Sequence, residues 1–181
     1  MHHRPAFGKE VITMGILSKL FKKPEKAPVF NGNQLYAPMN GRTVPLSEVP
    51  DPTFAAELLG KGIAIIPTDG RVLSPVDGVV ETMLDSGHAC ALTSNTGVEI
   101  LIHVGLETVG LHGAPFRIHC KNGDTVRKGQ LLFEADLDAI KAAGLPIITP
   151  VLVCNSDEYP SLRTVTGKHV TNSDVIIEVE G

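Results

Sequence analysis

Short apolar runs separated by turn residues dominate the chain from residue 33 onward, and thirteen prolines and eighteen glycines punctuate the whole chain. Runs of this length, rich in β-branched residues and bounded by turn signals, are typical of strands. The pattern predicts an all-β fold, an antiparallel β-sandwich or distorted barrel with a few short helices. The strands are predicted at residues 63–66, 71–73, 78–83, 88–93, 98–104, 115–119, 131–134, 149–153 and 174–179.

Two short helices are predicted to interrupt the strands. Asp51 is a suitable N-cap, Pro52 suits the first helical turn, and Gly60 ends the first helix. Asp136 is the N-cap of the second helix, and Gly144 closes it. Both helices are too short to form a layer of their own, so the fold class stays all-β.

Two segments of the chain resemble each other. Residues 37–44 (APMNGRTV) and 74–80 (SPVDGVV) both contain a proline, then Asn-Gly or Asp-Gly, then a β-branched exit. Each is a turn followed by a strand. The similarity of the two segments predicts an internally duplicated β-architecture.

The N-terminal part of the chain has a different pattern. We expect residues 1–32 to form a flexible extension and residues 33–181 to form one domain. Within the extension, residues 15–23 form a short amphipathic leader that suits peripheral contact with anionic lipid, although a solvated tail explains the same pattern. Its apolar stripe is Ile16, Leu17, Leu20 and Phe21, and its basic residues are Lys19, Lys22 and Lys23.

Composition excludes several classes of function. The net charge is −4, and the first 26 residues hold six Lys/Arg against two Asp/Glu, so the remaining chain has ten Lys/Arg against 18 Asp/Glu, a balance of −8. An acidic body without tryptophan argues against nucleic acid and suits a basic protein partner. Three cysteines without a CxxC pair fit a reducing cytoplasm, and no apolar run approaches a membrane span.

The most informative feature is a pair of histidines in a predicted hairpin. If the turn is centred on Asn95 and Thr96, paired residues sum to 191 and His88 lies directly opposite His103. Opposed side chains lie on one face with their Cβ atoms about 4.5–5.5 Å apart. We expect the backbone carbonyl of Gly105 to accept a hydrogen bond from one ring nitrogen of His103 and so to fix the tautomer of that ring.

Three chemistries fit two facing histidines. A neutral imidazole is a good nucleophile for phosphoryl transfer, and its neighbour can donate hydrogen bonds to phosphoryl oxygens. Zinc needs at least a third protein ligand, which no local spacing supplies, so zinc at His88 and His103 would be adventitious. Cys90, expected on the same face, would act as a nucleophile with a histidine base, but its apolar neighbours favour a core residue.

Several motifs resemble glucose-type enzyme IIA of the bacterial phosphoenolpyruvate-dependent sugar phosphotransferase system. The longest match is residues 97–109 (GVEILIHVGLETV), and the resemblance runs from about Met14 to the C-terminus. The other matching segments are residues 37–41, 62–67, 74–78, 123–126 and 149–157. The family fold is an antiparallel β-sandwich or distorted barrel.

The resemblance implies a phosphocarrier without a cofactor. His103 would accept the phosphoryl group from phospho-HPr, and His88 would assist its transfer to a cysteine of an enzyme IIB domain acting in trans, beside the membrane permease IIC. Ser86 stands where the family often has threonine and still provides a hydroxyl group. The residues that match the family's apolar docking rim are Phe54, Leu58, Leu59, Leu101 and Val109, of which a core position explains Leu101 equally well.

Two other classes of function stay open at this point. Some zinc hydrolases share a related duplicated β-architecture, but they present a His-x-His pair that this chain lacks. An inactive regulatory binding module would keep the fold without the chemistry.

Overall fold

The computed structural model describes Leu20 and residues 33–180. Fourteen strands lie within the described residues. They are β1 (Asn33–Tyr36), β2 (Gly41–Pro45), β3 (Lys61–Pro67), β4 (Arg71–Leu73), β5 (Gly78–Met83), β6 (Ala89–Ser94), β7 (Glu99–His103), β8 (Phe116–Ile118), β9 (Thr125–Val126), β10 (Leu131–Ala135), β11 (Thr149–Val153), β12 (Ser161–Thr164), β13 (His169–Val170) and β14 (Val175–Glu180).

Both predicted helices are present, but the first ends at Ala55 and not at Gly60 as predicted, because residues 56–59 form turns instead of a further helical turn. Helix α1 (Pro52–Ala55) is capped by the Asp51 side chain, which accepts a hydrogen bond from the Thr53 amide at 2.9 Å. Helix α2 (Leu137–Ala142) is capped by Asp136, which accepts from the Ala139 amide at 3.0 Å. Three 3₁₀ turns also lie within residues 33–180: Leu46–Glu48, Thr108–Leu111 and Ser156–Glu158.

The strands form three antiparallel sheets. The largest has eight strands in the order β13-β2-β3-β11-β7-β6-β5-β9, and the two smaller sheets have the orders β1-β14-β12 and β4-β10-β8. The sheets pack as a sandwich, and the described residues form no closed barrel. The predicted fold class is therefore confirmed in its sandwich form.

The order of the large sheet has an internal symmetry that fits the predicted duplication. The strands of the run β13-β2-β3-β11 occur along the chain in the same relative order as those of the run β9-β5-β6-β7, and the two halves meet at the β11–β7 pair. The two repeated turns lead into equivalent strands, at Gly41 and Gly78. A Cβ at either glycine would lie 2.2 Å from a backbone carbonyl oxygen of the next strand, so neither position has room for a side chain.

The two faces of the large sheet bury different residues. The inner face packs against the smaller sheets and forms the main core, with Ile63, Ile100, Ile102 and Phe133 almost wholly buried. The outer face carries Ala64, Ala89, Ala91, Leu101 and Leu152, which pack in a second cluster under the segment of residues 46–59. Both histidines lie at the end of this outer face.

Four strands lie outside the sequence prediction: β1, β9, β12 and β13. β2 is the strand predicted to follow the first of the two repeated turns. β9 and β13 have two residues each, which is too short for a hydrophobic period to be visible. β12 (SLRT) contains one strongly apolar residue, so its pairing with β14 rather than its sequence makes it a strand.

The predicted flexible extension lies outside the described residues except for Leu20. No helix among the described residues is long and apolar enough to cross a membrane. Leu20 itself is buried against the domain, with 8% of its surface exposed.

Candidate functional site

The predicted register of the histidine hairpin is wrong by one residue. Ala89, and not His88, lies opposite His103, and the pairing continues from there to Thr93 and Glu99. The cause is the turn. The Ser94 amide donates to the Val98 carbonyl at 2.9 Å, which leaves three residues in the loop instead of two, and the last of them, Gly97, has a φ of 91°.

The two imidazoles meet in spite of the shifted register. His88 precedes β6 and follows Gly87, which has a φ of 73°, so the alternation of the strand does not fix the direction of the His88 ring. The ring centroids of His88 and His103 lie 5.0 Å apart, and the rings are inclined at 80°. The carbonyl of His88 accepts the Val104 amide at 2.8 Å, which ties the two histidine segments together.

One nitrogen of His103 is held by the backbone. Nδ1 lies 2.8 Å from the carbonyl oxygen of Gly105. Because a carbonyl only accepts, Nδ1 carries the proton and Nε2 keeps its lone pair. Gly105 adopts a φ of 71°, and a Cβ there would lie 2.6 Å from the Thr108 side chain and 2.8 Å from the Pro146 carbonyl. The site therefore needs glycine at this position.

Thr108 is a site residue that the sequence analysis does not single out. It is fully buried, and its hydroxyl group donates to the Val104 carbonyl at 2.6 Å. This bond closes the turn that contains Gly105, so it supports the carbonyl that binds His103. A threonine five residues after a strand end is a signal for such a hydrogen bond, but the pattern is too common to identify one from sequence alone.

His88 is held by Ser86 and has one nitrogen without a partner. Its Nδ1 lies 2.7 Å from the Ser86 hydroxyl oxygen. Its Nε2 is buried, and within the described residues it makes no hydrogen bond. A buried polar atom without a partner is costly and therefore rare. The arrangement leaves one unused polar atom at the centre of the site.

Burial keeps both rings neutral. It lowers the pKa of His88 to about 3, and a positive charge on His103 would lower it further. Burial also lowers the pKa of His103, against the opposing effects of the Gly105 hydrogen bond and of Asp51. A neutral imidazole has a lone pair available, so at neutral pH His103 is in the form that a nucleophile requires.

Aromatic side chains surround the pair. The ring centroid of Phe54 is 5.2 Å from that of His103, and the centroid of Phe116 is 6.5 Å from that of His88. Phe54 comes from helix α1 and Phe116 from β8, so two separate elements exclude water from the site. Phe116 is a second site residue that the sequence analysis does not identify.

The five residues predicted for a docking rim have different environments. Phe54, Leu59 and Leu101 have at most 5% of their surface exposed and pack in the outer-face cluster. Val109 is half-buried, whereas Leu58 is 59% exposed. An exposed rim at the positions of Phe54, Leu59 and Leu101 is thus not what the structure presents, because the sheet needs these side chains as its cover.

Neither the zinc nor the cysteine alternative gains support from the geometry. No group of three potential metal ligands occurs among the described residues. Cys90 lies on the inner face of the sheet, packed in the main core, and not on the face of the histidines as expected. Its contact with the Cys120 thiol and its burial raise its pKa, which makes it a poor nucleophile.

The comparisons with known proteins identify the family of the chain and agree with its fold. A family model described as "phosphoenolpyruvate-dependent sugar phosphotransferase system, EIIA 1" matches residues 33–159. This match covers the histidine pair and most of the described residues. The chain belongs to this family of enzyme IIA components.

Relatives of two sizes match the chain. A "PTS system glucose-specific EIIA component" of Oceanobacillus iheyensis is 38% identical over 156 residues, covering 86% of this chain and 93% of that protein. A "PTS system mannose-specific EIIBCA component" of Corynebacterium glutamicum is 44% identical over 147 residues, covering 81% of this chain. The chain spans only about a fifth of the length of such multidomain relatives, 22% in that case.

A solved structure has the same fold. The glucose permease IIA from Mycoplasma capricolum superimposes with a TM-score of 0.76 at 30% sequence identity, covering 82% of this chain and 96% of that one. The internally duplicated sandwich is therefore shared with a protein of the same family.

The neutral state of His88 makes a prediction about pH and stability. The folded chain resists the protonation of His88 down to about pH 3, whereas the unfolded chain takes up that proton near 6.5. The stability that the neutral ring contributes is thus present above about pH 6.5 and is lost as the pH falls towards 3. We expect His88→Gln to lose less stability than the parent between about pH 7.5 and 5, measured by urea unfolding.

The comparison with the variant is needed because Glu99 acts with the opposite sign. Burial and the nearby Glu158, Glu81 and Asp157 raise its pKa to about 7, so its contribution to stability falls as the pH rises from about 4.5 to 7. Glu99 is unchanged in His88→Gln, and its effect cancels in the difference. Equal pH dependence in the parent and the variant would contradict a neutral His88.

Proposed function

We propose that this chain is a phosphocarrier of the sugar phosphotransferase system, in which Nε2 of His103 carries the phosphoryl group. Phospho-HPr is the donor, and a cysteine of a sugar-specific enzyme IIB is the acceptor. The observation that supports this most directly is the pairing of two neutral imidazoles. One has its Nδ1 bound to a carbonyl, and the other has a buried Nε2 without a partner among the described residues.

The proposed chemistry needs no group beyond those of the chain and its partners. The lone pair on Nε2 of His103 attacks phosphorus as the bond from phosphorus to the donor histidine breaks. The proton on Nδ1 stays in place, shared with the Gly105 carbonyl, throughout the step. In the onward step a thiolate attacks phosphorus and the bond to Nε2 breaks, which returns His103 to the same neutral tautomer.

His88 is proposed to stabilise the phosphoryl group. If the Ser86 hydroxyl donates to Nδ1 of His88, then Nε2 carries the proton and is a donor for a phosphoryl oxygen. The negative phosphoryl group would raise the pKa of His88 and strengthen this hydrogen bond. The unpartnered nitrogen would then have its partner only in the phosphorylated state.

Two observations indicate the partners of the chain: the family to which it belongs and the charge of its surface. Membership of the family, with relatives named EIIBCA, implies that the domain works with EIIB and EIIC components. HPr as donor and a cytoplasmic location are our proposals. The acidic body of the chain, with its balance of −8, suits a basic donor protein whose docking weakens with salt.

The first test concerns the phosphorylated residue. The chain is incubated with phosphoenolpyruvate, enzyme I and HPr, and its intact mass is measured. We expect the parent to gain the mass of one phosphoryl group and His103→Ala to gain none. A parent that gains nothing would favour the inactive binding module, and a variant that still gains the mass would remove His103 from the role.

The second test concerns His88. We expect His88→Gln to accept a phosphoryl group but to pass it to enzyme IIB more slowly, by up to about 10²-fold. The glutamine amide still donates hydrogen bonds, but it cannot take up a proton beside the phosphoryl group as an imidazole can. Quenched-flow transfer to an isolated IIB domain measures this rate. Transfer at the parental rate would show that His88 has no catalytic role.

The third test separates docking from packing. We expect Leu58→Asp to weaken HPr binding several-fold with an unchanged melting temperature, because Leu58 is an exposed apolar side chain close to α1. Phe54→Asp is expected to lower the melting temperature strongly, because a charge would be buried against His103. Calorimetric titration with HPr and thermal unfolding measure the two effects, and unchanged binding by a folded Leu58→Asp would remove Leu58 from the docking surface.

A further inference from the structure

Leu20 contacts the outer face of the large sheet. Its side chain is 8% exposed and belongs to the outer-face cluster, which also contains Ala91, Leu101 and Phe54. Its backbone carbonyl accepts a hydrogen bond of 3.1 Å from the Thr82 hydroxyl group of β5. An apolar residue of the predicted leader is therefore held on the domain by both its side chain and its backbone.

The surface under Leu20 consists of small and apolar side chains, which suits an apolar side chain packed on it. Thr82 pairs with Ala91, and Ala91 pairs with Leu101, so these residues form one row across three strands. The central member of the row is an alanine, and the next outer-face position along β6, Ala89, is another alanine. Small side chains in the middle of a sheet leave a shallow depression that a leucine can fill.

This surface is close to His103. Ala89 pairs with His103 two residues along the strands from the row of Thr82, which is the next pair on the same face of the sheet. Two strand spacings of about 4.8 Å and two residues of about 3.4 Å separate Thr82 from His103, or roughly 12 Å in all. A protein that buries about 800 Å² of its partner covers a patch with a radius of about 16 Å. A docking partner centred on His103 therefore overlaps the place of Leu20.

We propose that Leu20 is a tethered occupant of the docking surface beside the histidine pair, and that a partner protein must displace it. The inference rests on the proposed function, because the competing partner is the phosphoryl donor. Since Leu20 is part of the same chain, it competes at a high effective concentration. The apparent dissociation constant of the donor is raised by the reciprocal of the fraction of chains in which the surface is uncovered.

The first arm of the test measures docking of Leu20 without any partner. In the isotope-labelled full-length chain, Leu20→Asp is expected to shift the methyl resonances of Ala89 and Ala91, and Thr82→Val is expected to shift them in the same direction. Thr125→Val, in the neighbouring strand β9, is the matched control and should leave them unchanged. Resonances that do not respond to Leu20→Asp would show that Leu20 does not occupy this surface, which overturns the inference.

The second arm measures competition. We expect Leu20→Asp and Thr82→Val to bind HPr roughly three- to tenfold more tightly than the parent, and Thr82→Ser, which keeps the hydroxyl group, to bind like the parent. Thr82→Val keeps Leu20 in the chain and serves as the test if Leu20→Asp lowers the melting temperature. Unchanged or weaker binding by both variants would overturn the competition.

The two arms distinguish the inference from the proposed function. If HPr binds neither the parent nor any variant, the proposed function fails, and the competition fails with it. If HPr binds the parent and both variants equally well, only the tethered competitor is removed. Tighter binding by both variants, together with the methyl shifts, supports both.

Discussion

The hydrogen bond between Nδ1 of His103 and the Gly105 carbonyl is the constraint on which the site depends. It decides which nitrogen has a lone pair, and it requires a turn that returns to the ring within two residues. That turn is possible because Gly105 takes a positive φ and because Thr108 closes it with a buried bond to Val104. A change anywhere in this short segment would alter, through the backbone, the position of Nε2 of His103, the proposed phosphoryl acceptor.

The apolar surroundings of the two histidines remove their rings from water, and this has two consequences. Removing two imidazoles from water disfavours their charged forms, and the aromatic rings of Phe54 and Phe116 provide this environment. The same packing leaves Nε2 of His88 without a partner among the described residues. Within the part of the chain that the structure describes, the site thus lacks one hydrogen-bond partner, which the phosphoryl group supplies in the proposed mechanism.

Local patterns predicted the elements of the fold well, while features that depend on counting residues through a turn were predicted poorly. The caps at Asp51 and Asp136 were found from sequence because they act within three residues. The hairpin register was wrong because a three-residue loop and a two-residue loop look alike in a polar stretch ending in Gly97. Cys90 was placed on the wrong face because the alternation was counted from His88, which precedes the strand.

Contacts between distant segments were beyond the reach of sequence patterns. Nothing local connects Leu20 to Thr82, 62 residues later, or shows that Phe116 lies against His88. The pairing of two histidines survived the wrong register because the chain bends at Gly87, and a bend of that kind is visible in the sequence only as one glycine among eighteen.

The two halves of the large sheet carry different residues at one pair of equivalent positions, and these residues have different roles. His103 pairs with Ala89 in one half, and the corresponding pair in the other half is Leu152 with Gly62. Both pairs place a large side chain opposite a small one on the outer face, but only one of the large side chains can take part in chemistry. Leu152 serves packing instead: it belongs to the same outer-face cluster as Phe54, whose ring centroid lies 5.2 Å from that of His103.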